Sequence, residues 1–327
     1  MNVGIAIVYF EGIDEFRETL DSIPFELAKI AVCDASVKSE ARALVDMRED
    51  AIWLDCSRNG GYAWAVNKGI GQLLGDIDHP CDVVIISNPD VVYSESSLRE
   101  LVANVTRLGG VHFPLQTDCS GSTLGHSLLR GLSRWTIVAN WLVPDSFRQN
   151  TLRTELLTAA VRRREPVRMP ASLSGNGACI AVDRSAWEAI GGFNDGFFLF
   201  AEDKTFTYRA HSLEIPVYLA GNASVVHEGG FKSRGMSEFQ LIEYIASERI
   251  AWKSMWKTPL MYLYVAQLLG LSLRMISSFS NSVPTMREVY KKVLVKSARN
   301  RLCEGDLRGA DGVRVSTLSA LDEKERR

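Results

Sequence analysis

Residues 83–90 read Val83-Val84-Ile85-Ile86-Ser87-Asn88-Pro89-Asp90, an apolar strand that runs out into a polar turn. Proline fixes its own φ and stiffens the exit, so Asp90 projects just beyond the strand. The same pattern recurs on both sides. Apolar runs at 2–10, 29–34, 51–55 and 110–114 predict further strands, and helical patterns near 13–22, 39–48, 62–74 and 94–108 fill the spaces between them. Strand–helix alternation with short connections predicts an α/β fold, a Rossmann-like, mostly parallel sheet with helices on both faces. Ligands of such sheets bind in the crevice at the carboxyl ends of the strands, so the residues just after each strand are the informative ones.

Further along, residues 116–170 break the rhythm with Ser, Gly and Thr, two tryptophans and the basic run Arg162-Arg163-Arg164; they read as an insertion or lid. Regularity returns with strands at 173–182, 216–219 and 223–227 and helices at 185–190 and 201–212. From Met236 the pattern is helical. The expected organisation is a catalytic domain over 1–232, a helical extension over 233–305 and a charged tail over 306–327.

Composition narrows the function. The 327 residues carry 37 Lys+Arg against 39 Asp+Glu, and a net charge of −2 lacks the basic excess of a nucleic-acid binder. Six cysteines scattered without CxxC pairs indicate neither a zinc site nor a disulfide framework, and they fit a reducing cytoplasm. The N-terminus enters an apolar strand directly, with no pattern of a signal peptide.

Strand one ends at Tyr9 and strand two at Asp34. An aromatic beside a carboxylate there serves either a nucleoside or, for Asp34, an ordinary turn or helix cap. In Asn59-Gly60-Gly61-Tyr62, two glycines lead into a helix, which lets backbone approach a ligand and points N–H groups toward phosphate. Asn67, inside that helix, costs propensity and asks for a reason. Asp90 suits a hard divalent cation, though Asn-Pro-Asp is also a common turn. Glu202 and Asp203 open a helix after Phe197-Phe198-Leu199-Phe200; the helix dipole favours acids there, and a general base is the functional alternative. His227 ends a late strand, where imidazole could complete a metal site.

Taken together and in this order, these segments resemble the inverting family-two glycosyltransferases of the GT-A fold, over roughly residues 2–232 and nearest the branch that includes rhamnosyltransferases. The resemblance implies that Tyr9 and Asp34 contact nucleobase and ribose. It implies that Asn59, Gly60, Gly61 and Asn67 belong to the donor site, that Asp90 and His227 hold Mg²⁺ or Mn²⁺, and that Asp203 is the catalytic base. Three departures stand out: Thr205 replaces the last acid of the usual Glu-Asp-x-Asp, Asn194-Asp195 replaces Asp-Glu, and Asn88 replaces the first Asp of the metal motif.

The implied reaction is one in-line displacement from a nucleotide-sugar donor onto a glycan or lipid-linked acceptor, with inversion, in polysaccharide biosynthesis. A nucleotidyltransferase is the enzymatic alternative, but strand one is followed by Glu11-Gly12-Ile13-Asp14-Glu15, which is acidic and wrong for a triphosphate. A non-catalytic nucleotide-sugar-binding scaffold is the other, and it needs neither Asp90 nor Asp203. Residues 259–273 are strongly apolar but shorter than the ~20 residues of a bilayer span, and Gln267 interrupts them. They read either as a helix packed on the domain or a dimer mate, or as a helix lying in a membrane interface. Trp252, Trp256, Lys257 and Arg274 supply headgroup-level anchors, and the expectation is peripheral contact through 252–283 on the cytoplasmic face.

Overall fold

The computed structural model describes residues 2–25, 27–36, 38–56, 58–76, 80–143, 151–227, 237–277 and 284–298. The expected tail 306–327 lies outside them. The first half of the chain forms β1 (Val3–Tyr9), α1 (Ile13–Ser22), β2 (Lys29–Asp34), α2 (Arg42–Asp46), β3 (Ala51–Asp55), α3 (Tyr62–Leu74), β4 (Val83–Ser87), β5 (Val92–Tyr93), α4 (Glu95–Leu108) and β6 (Val111–Thr117). Then follow β7 (Leu128–Arg130), α5 (Arg134–Leu142), α6 (Thr151–Arg163), β8 (Pro166–Arg168), β9 (Leu173–Gly175), β10 (Cys179–Asp183), α7 (Arg184–Ile190), α8 (Glu202–Ser212) and β11 (Val217–Val226). Three helices close the described chain: α9 (Glu238–Met255), α10 (Leu260–Ser277) and α11 (Pro284–Ala298).

These elements divide into two compact units. The first comprises Met1–Gly131, Asn150–Asn194 and Glu202–Glu228; the second comprises Leu132–Gln149, Asp195–Ala201 and Gly229–Arg327.

In the first unit a nine-stranded sheet runs β3-β2-β1-β4-β10-β6-β11-β5, with β8 also paired to β11. Parallel pairing joins β1 to β2 and β4, β2 to β3, and β6 to β11, while β10, β5 and β8 run against their neighbours. The strands β1, β4 and β6 are buried along their whole length, and the apolar runs of β1 and β4 are those of a sheet covered on both faces. The predicted strand over 173–182 is two strands, β9 and β10, parted at Asn176-Gly177-Ala178. The two predicted strands 216–219 and 223–227 are one, β11, with a register shift between Ala220 and Ser224.

Helix α4 shows how the layers hold. Ser94 caps it by accepting the Ser97 N–H at 3.2 Å, and Leu98, Leu101, Val102 and Val105 then fall on one buried face. Those four share a core with Ile5, Ile7, Phe16, Ile30, Val32 and Ile85. Each such side chain contributes about 1.5–3 kcal/mol by leaving water. After β3 the chain crosses to the far side of β1 to form β4, so β1 and β4 flank the point where strand order reverses. Their carboxyl ends, Tyr9 and Ser87, open onto the crevice where such sheets take ligands.

The second unit is helical. Its centre is polar: Glu248 accepts from Trp141 Nε1 at 2.5 Å and from Gln267 Nε2 at 3.1 Å, and Gln267 Oε1 accepts from Arg249 Nε at 2.8 Å. Arg274 donates to the Asn140 carbonyl at 2.6 Å and lies 4.5 Å over the Trp141 ring.

Candidate active site

The parallel register sets Tyr9 beside Asp34 at the ends of β1 and β2. Asp34 is buried and holds the turn that follows. Its Oδ1 accepts from the Ser36 N–H at 2.9 Å and the Ser36 hydroxyl at 2.5 Å, and its Oδ2 accepts from the Ser39 N–H at 3.1 Å. Tyr9 is fully buried between Phe16 and Trp53, with ring centroids 4.9 and 6.4 Å away, and its hydroxyl donates to Glu40 at 2.5 Å. Burial and the Glu40 carboxylate push its phenol above the usual range. The stacking face expected of Tyr9 is therefore not presented in this structure, because the core and Glu40 occupy both ends of the side chain. The exposed ring at this strand end is Phe10.

At the start of α3, Asn59 Oδ1 accepts the Gly61 N–H at 3.0 Å, and Gly61 takes φ 92°, which a side chain would resist. No side chain among the described residues caps the helix and no acid sits in its first turn, an arrangement that suits an anion at the leading N–H groups. Asn67, expected in the donor site, serves elsewhere. Its Oδ1 accepts the Phe193 N–H at 2.9 Å and its Nδ2 donates to the Phe193 carbonyl at 2.8 Å. Both halves of the amide are thus spent on clamping the Gly191-Gly192-Phe193 turn to α3. A Cβ on Gly192, at φ 66°, would stand 2.8 Å from the Asn67 oxygen. The clamp needs that glycine.

Asp90 and His227 lie far apart in the sequence of the first unit and meet. The imidazole Nε2 is 3.5 Å from Asp90 Oδ1, with the carboxylate 39% exposed and the ring buried. Behind the ring, Nδ1 lies 3.2 Å from Gln116 Oε1. An amide oxygen only accepts, so Nδ1 is the donor in that contact, and Nε2 is the ring atom that faces Asp90. This is how a ligating imidazole is held. The ring of His126 stands edge-on to His227 at 6.3 Å. No group of three or more His, Cys, Asp or Glu gathers among the described residues. A two-ligand carboxylate–imidazole set fits a cation that takes its remaining ligands from phosphate and water, as Mg²⁺ and Mn²⁺ do.

The two acids at the start of α8 differ in access. Glu202 is buried, and its Oε2 has no hydrogen-bond partner among the described residues; burial and the neighbouring Asp203 charge push its pKa to about 8. Asp203 is half-buried. Its Oδ2 accepts the Gly177 N–H at 3.1 Å and its Oδ1 the Lys204 N–H at 2.7 Å. Burial raises this carboxyl too, against the pull of Lys204 and of those two N–H groups. Gly177 is obligatory, since a Cβ there would come within 2.8 Å of Asp203 Cβ. The chain enters α8 through two non-glycine residues in the left-handed region, Phe200 (φ 71°) and Ala201 (φ 66°). Each such residue costs of order 1–3 kcal/mol and fixes where the next side chains point.

Tyr62, the first residue of α3, ties the site together. Its hydroxyl is buried without a partner among the described residues, and the charges of Glu202, Asp203 and Asp90, together with burial, raise its pKa. The start of α3, the exit of β4 and the start of α8 therefore share one electrostatic neighbourhood. Gln116, Gly177 and Tyr62 were given no role in the sequence reading. Gln116 carried a signal all the same, a polar residue in the apolar strand Val111-His112-Phe113-Pro114-Leu115. A separate cavity of about 850 Å³ lies at the other end of β4, lined by Asp82, Val83, Asp183 and Pro216, and it gathers none of these residues.

No family model matches the chain. It is 28% identical over 214 residues to an N-acetylglucosaminyl-diphospho-decaprenol L-rhamnosyltransferase of Mycobacterium tuberculosis, covering 61% of this chain and 66% of that protein, just under two thirds of its length. It is 25% identical over 262 residues to the low-salt glycan biosynthesis hexosyltransferase Agl10 of Haloferax volcanii, covering 77% of this chain and 78% of that protein. Among solved structures, GalNAc-T7 with UDP, GalNAc and Mn²⁺ aligns with a TM-score of 0.56 at 13% identity, over 93% of this chain and 58% of that one. The mannosyltransferase PcManGT of Pyrobaculum calidifontis, with GDP-Man and Mn²⁺, aligns with a TM-score of 0.52 at 14% identity, over 93% and 87%. The sequence resemblance to the rhamnosyltransferase-like branch is borne out by these relatives, and the fold of this chain is that of the GT-A glycosyltransferases.

Proposed function

We propose that this protein transfers a sugar from a nucleoside-diphosphate sugar to a glycan or lipid-linked acceptor, with inversion, in the building of a cell-surface polysaccharide. The observation that carries the reading is the facing pair Asp90 and His227, with the imidazole tautomer set by Gln116, at the ligand edge of a GT-A sheet. Asp90 and His227 would hold Mg²⁺ or Mn²⁺, whose chemistry is to neutralise the charge that develops on the leaving diphosphate. The leading N–H groups at the start of α3 add fixed positive dipole toward the same phosphates.

Asp203 takes the proton from the attacking acceptor hydroxyl. Access favours it over its neighbour, since Asp203 is half-buried while Glu202 is shut in and holds its own proton up to about pH 8. With Glu202 neutral, the negative charge of the pair rests on Asp203. A single displacement then inverts the anomeric centre. The mycobacterial relative is a rhamnosyltransferase of N-acetylglucosaminyl-diphospho-decaprenol, and this supports a lipid-linked acceptor and a working position at a membrane surface. No helix among the described residues is long and apolar enough to cross a bilayer.

The test is a thermal-shift screen of dTDP- and UDP-sugars with Mn²⁺, followed by turnover with the donor that stabilises most. Asp90→Ala is expected to keep the fold and lose metal-dependent donor binding. Wild-type turnover in Asp90→Ala, together with indifference to EDTA, would remove the metal from the reaction.

A further inference from the structure

Helix α10 is apolar on both sides: Leu263, Ala266 and Leu271 are buried within the unit, and a second apolar row faces out. At 100° per residue, Met261, Tyr262, Val265, Leu269, Leu273 and Ile276 fall within one arc of about 120°, and all six are between 46% and 65% exposed. Ser272 is the one polar residue in that arc, and its hydroxyl is turned back onto the Leu268 carbonyl at 2.9 Å. The polar side chains of the helix face inward instead. Gln267 is fully buried between Glu248 and Arg249, and Arg274 reaches in to the Asn140 carbonyl. A helix in water keeps its outer face polar. Within the same unit, α5 adds Trp135, 72% exposed, with Leu142 and Val143.

The charges of the two segments that carry this face and Trp135 have one sign, and the adjoining helix α11 adds Arg287, Lys291 and Lys292 against the single acid Glu288. Residues 132–143 and 253–277 contain Arg134, Lys253, Lys257 and Arg274 and no Asp or Glu. Arg134 lies over the Trp135 ring and donates to Thr258 just before α10, while Lys253 and Lys257 are exposed. An apolar stripe with exposed tryptophan, tyrosine and cations is the composition of a headgroup-level anchor. A second copy of the same face would bring a surplus of cations against cations. We infer that the Met261–Ile276 face of α10 lies in the interface of an anionic bilayer, with Trp135, Lys253 and Lys257 at the headgroups. This assignment rests on the second unit alone and stands apart from the sugar-transfer reading.

The experiment uses the full chain with vesicles of phosphatidylcholine alone or mixed with phosphatidylglycerol. Wild type is expected to sediment with the anionic vesicles at low salt and to be partly released as salt rises. Leu269→Glu/Leu273→Glu should remain in the supernatant with an unchanged melting curve, because both side chains are exposed. Lys253→Glu/Lys257→Glu should weaken anionic binding by roughly fivefold or more per lysine. Wild type that stays in the supernatant with anionic vesicles overturns the inference, as does a Leu269→Glu/Leu273→Glu protein that sediments like wild type. A dimer in light scattering that the leucine variant turns into monomer gives the face to a second copy, and this also overturns it. Each readout is blind to donor and acceptor, so a failed transferase assay leaves it untouched.

Discussion

Replacing Glu202 by glutamine tests the electrostatics of the site without reference to any substrate. The carboxyl titrates near 4.5 when free and near 8 in the fold, because burial and Asp203 both oppose its charge. The folded state therefore binds the proton more tightly than the unfolded state across that window. Stability from this group is complete below about pH 4.5 and is lost as pH rises toward 8, at about 1.4 kcal/mol for each pH unit. Over the full window that amounts to about 5 kcal/mol, and over pH 6 to 8 alone to about 3 kcal/mol. Glutamine fills the same space and cannot ionise, so Glu202→Gln should lack this slope. Urea denaturation of both proteins from pH 5 to 9 reads it directly. The variant should gain on wild type with rising pH and hold its lead above pH 8. Parallel stability curves across pH 5 to 8 would refute the burial of an ionisable proton here. The same result bears on mechanism, since a neutral Glu202 leaves Asp203 as the charged partner. Glu202→Gln should then keep transfer near wild type at neutral pH.

Asp203→Asn, by contrast, should retain donor affinity by calorimetry while transfer falls ~10²-fold or more, the scale of a lost general base; an unimpaired rate would move the role elsewhere. Gln116→Leu should weaken Mn²⁺ binding by roughly 10- to 100-fold, because His227 loses the acceptor that fixes its tautomer. A titration identical to wild type would mean that His227 binds no metal. Asn67→Ala should cost about 1–3 kcal/mol of stability by leaving the Phe193 N–H without its acceptor. If Asn67→Ala instead melts like wild type and weakens donor binding, the residue touches the donor after all.

The fold was legible because β1, β2, β3 and β4 are short apolar runs with helices between them, and such strands are specified locally. Helices α1 and α3 fall at 13–22 and 62–74, where periodicity places them. What periodicity misses is the reversal of β10 between β4 and β6, because direction depends on how the chain arrives and not on the strand's own residues. The site divides along the same line. Asp90, Asp203 and His227 each follow or precede an apolar element, and a polar residue at such an end is visible in one dimension. The facing of Asp90 and His227 depends on β5 and β11 pairing across the unit, which no local pattern contains. Asn67 shows the opposite failure. Its low helix propensity was a true signal of extra work, but the work is holding Phe193, 126 residues away.

The apolar segment at 259–273 carries this point furthest. A hydropathy average sees a helix too apolar for water and too short for a bilayer, and it stops there, because averaging discards direction. Direction comes from the partners. Once Glu248, Arg249 and Trp141 form a polar centre, Gln267 answers both its acid and its cation, and it turns inward to do so. Gln267 inward fixes the rotation of the whole helix at 100° per residue, so the opposite arc from Met261 to Ile276 is forced out. The residue that seemed to argue against a membrane face is thus the one that creates it. Gln267→Leu should relax that constraint and leave the Arg249 Nε–H without its acceptor, destabilising the unit by about 1–3 kcal/mol. If Gln267→Leu melts like wild type and still sediments with anionic vesicles, the polar centre does not set the face of α10.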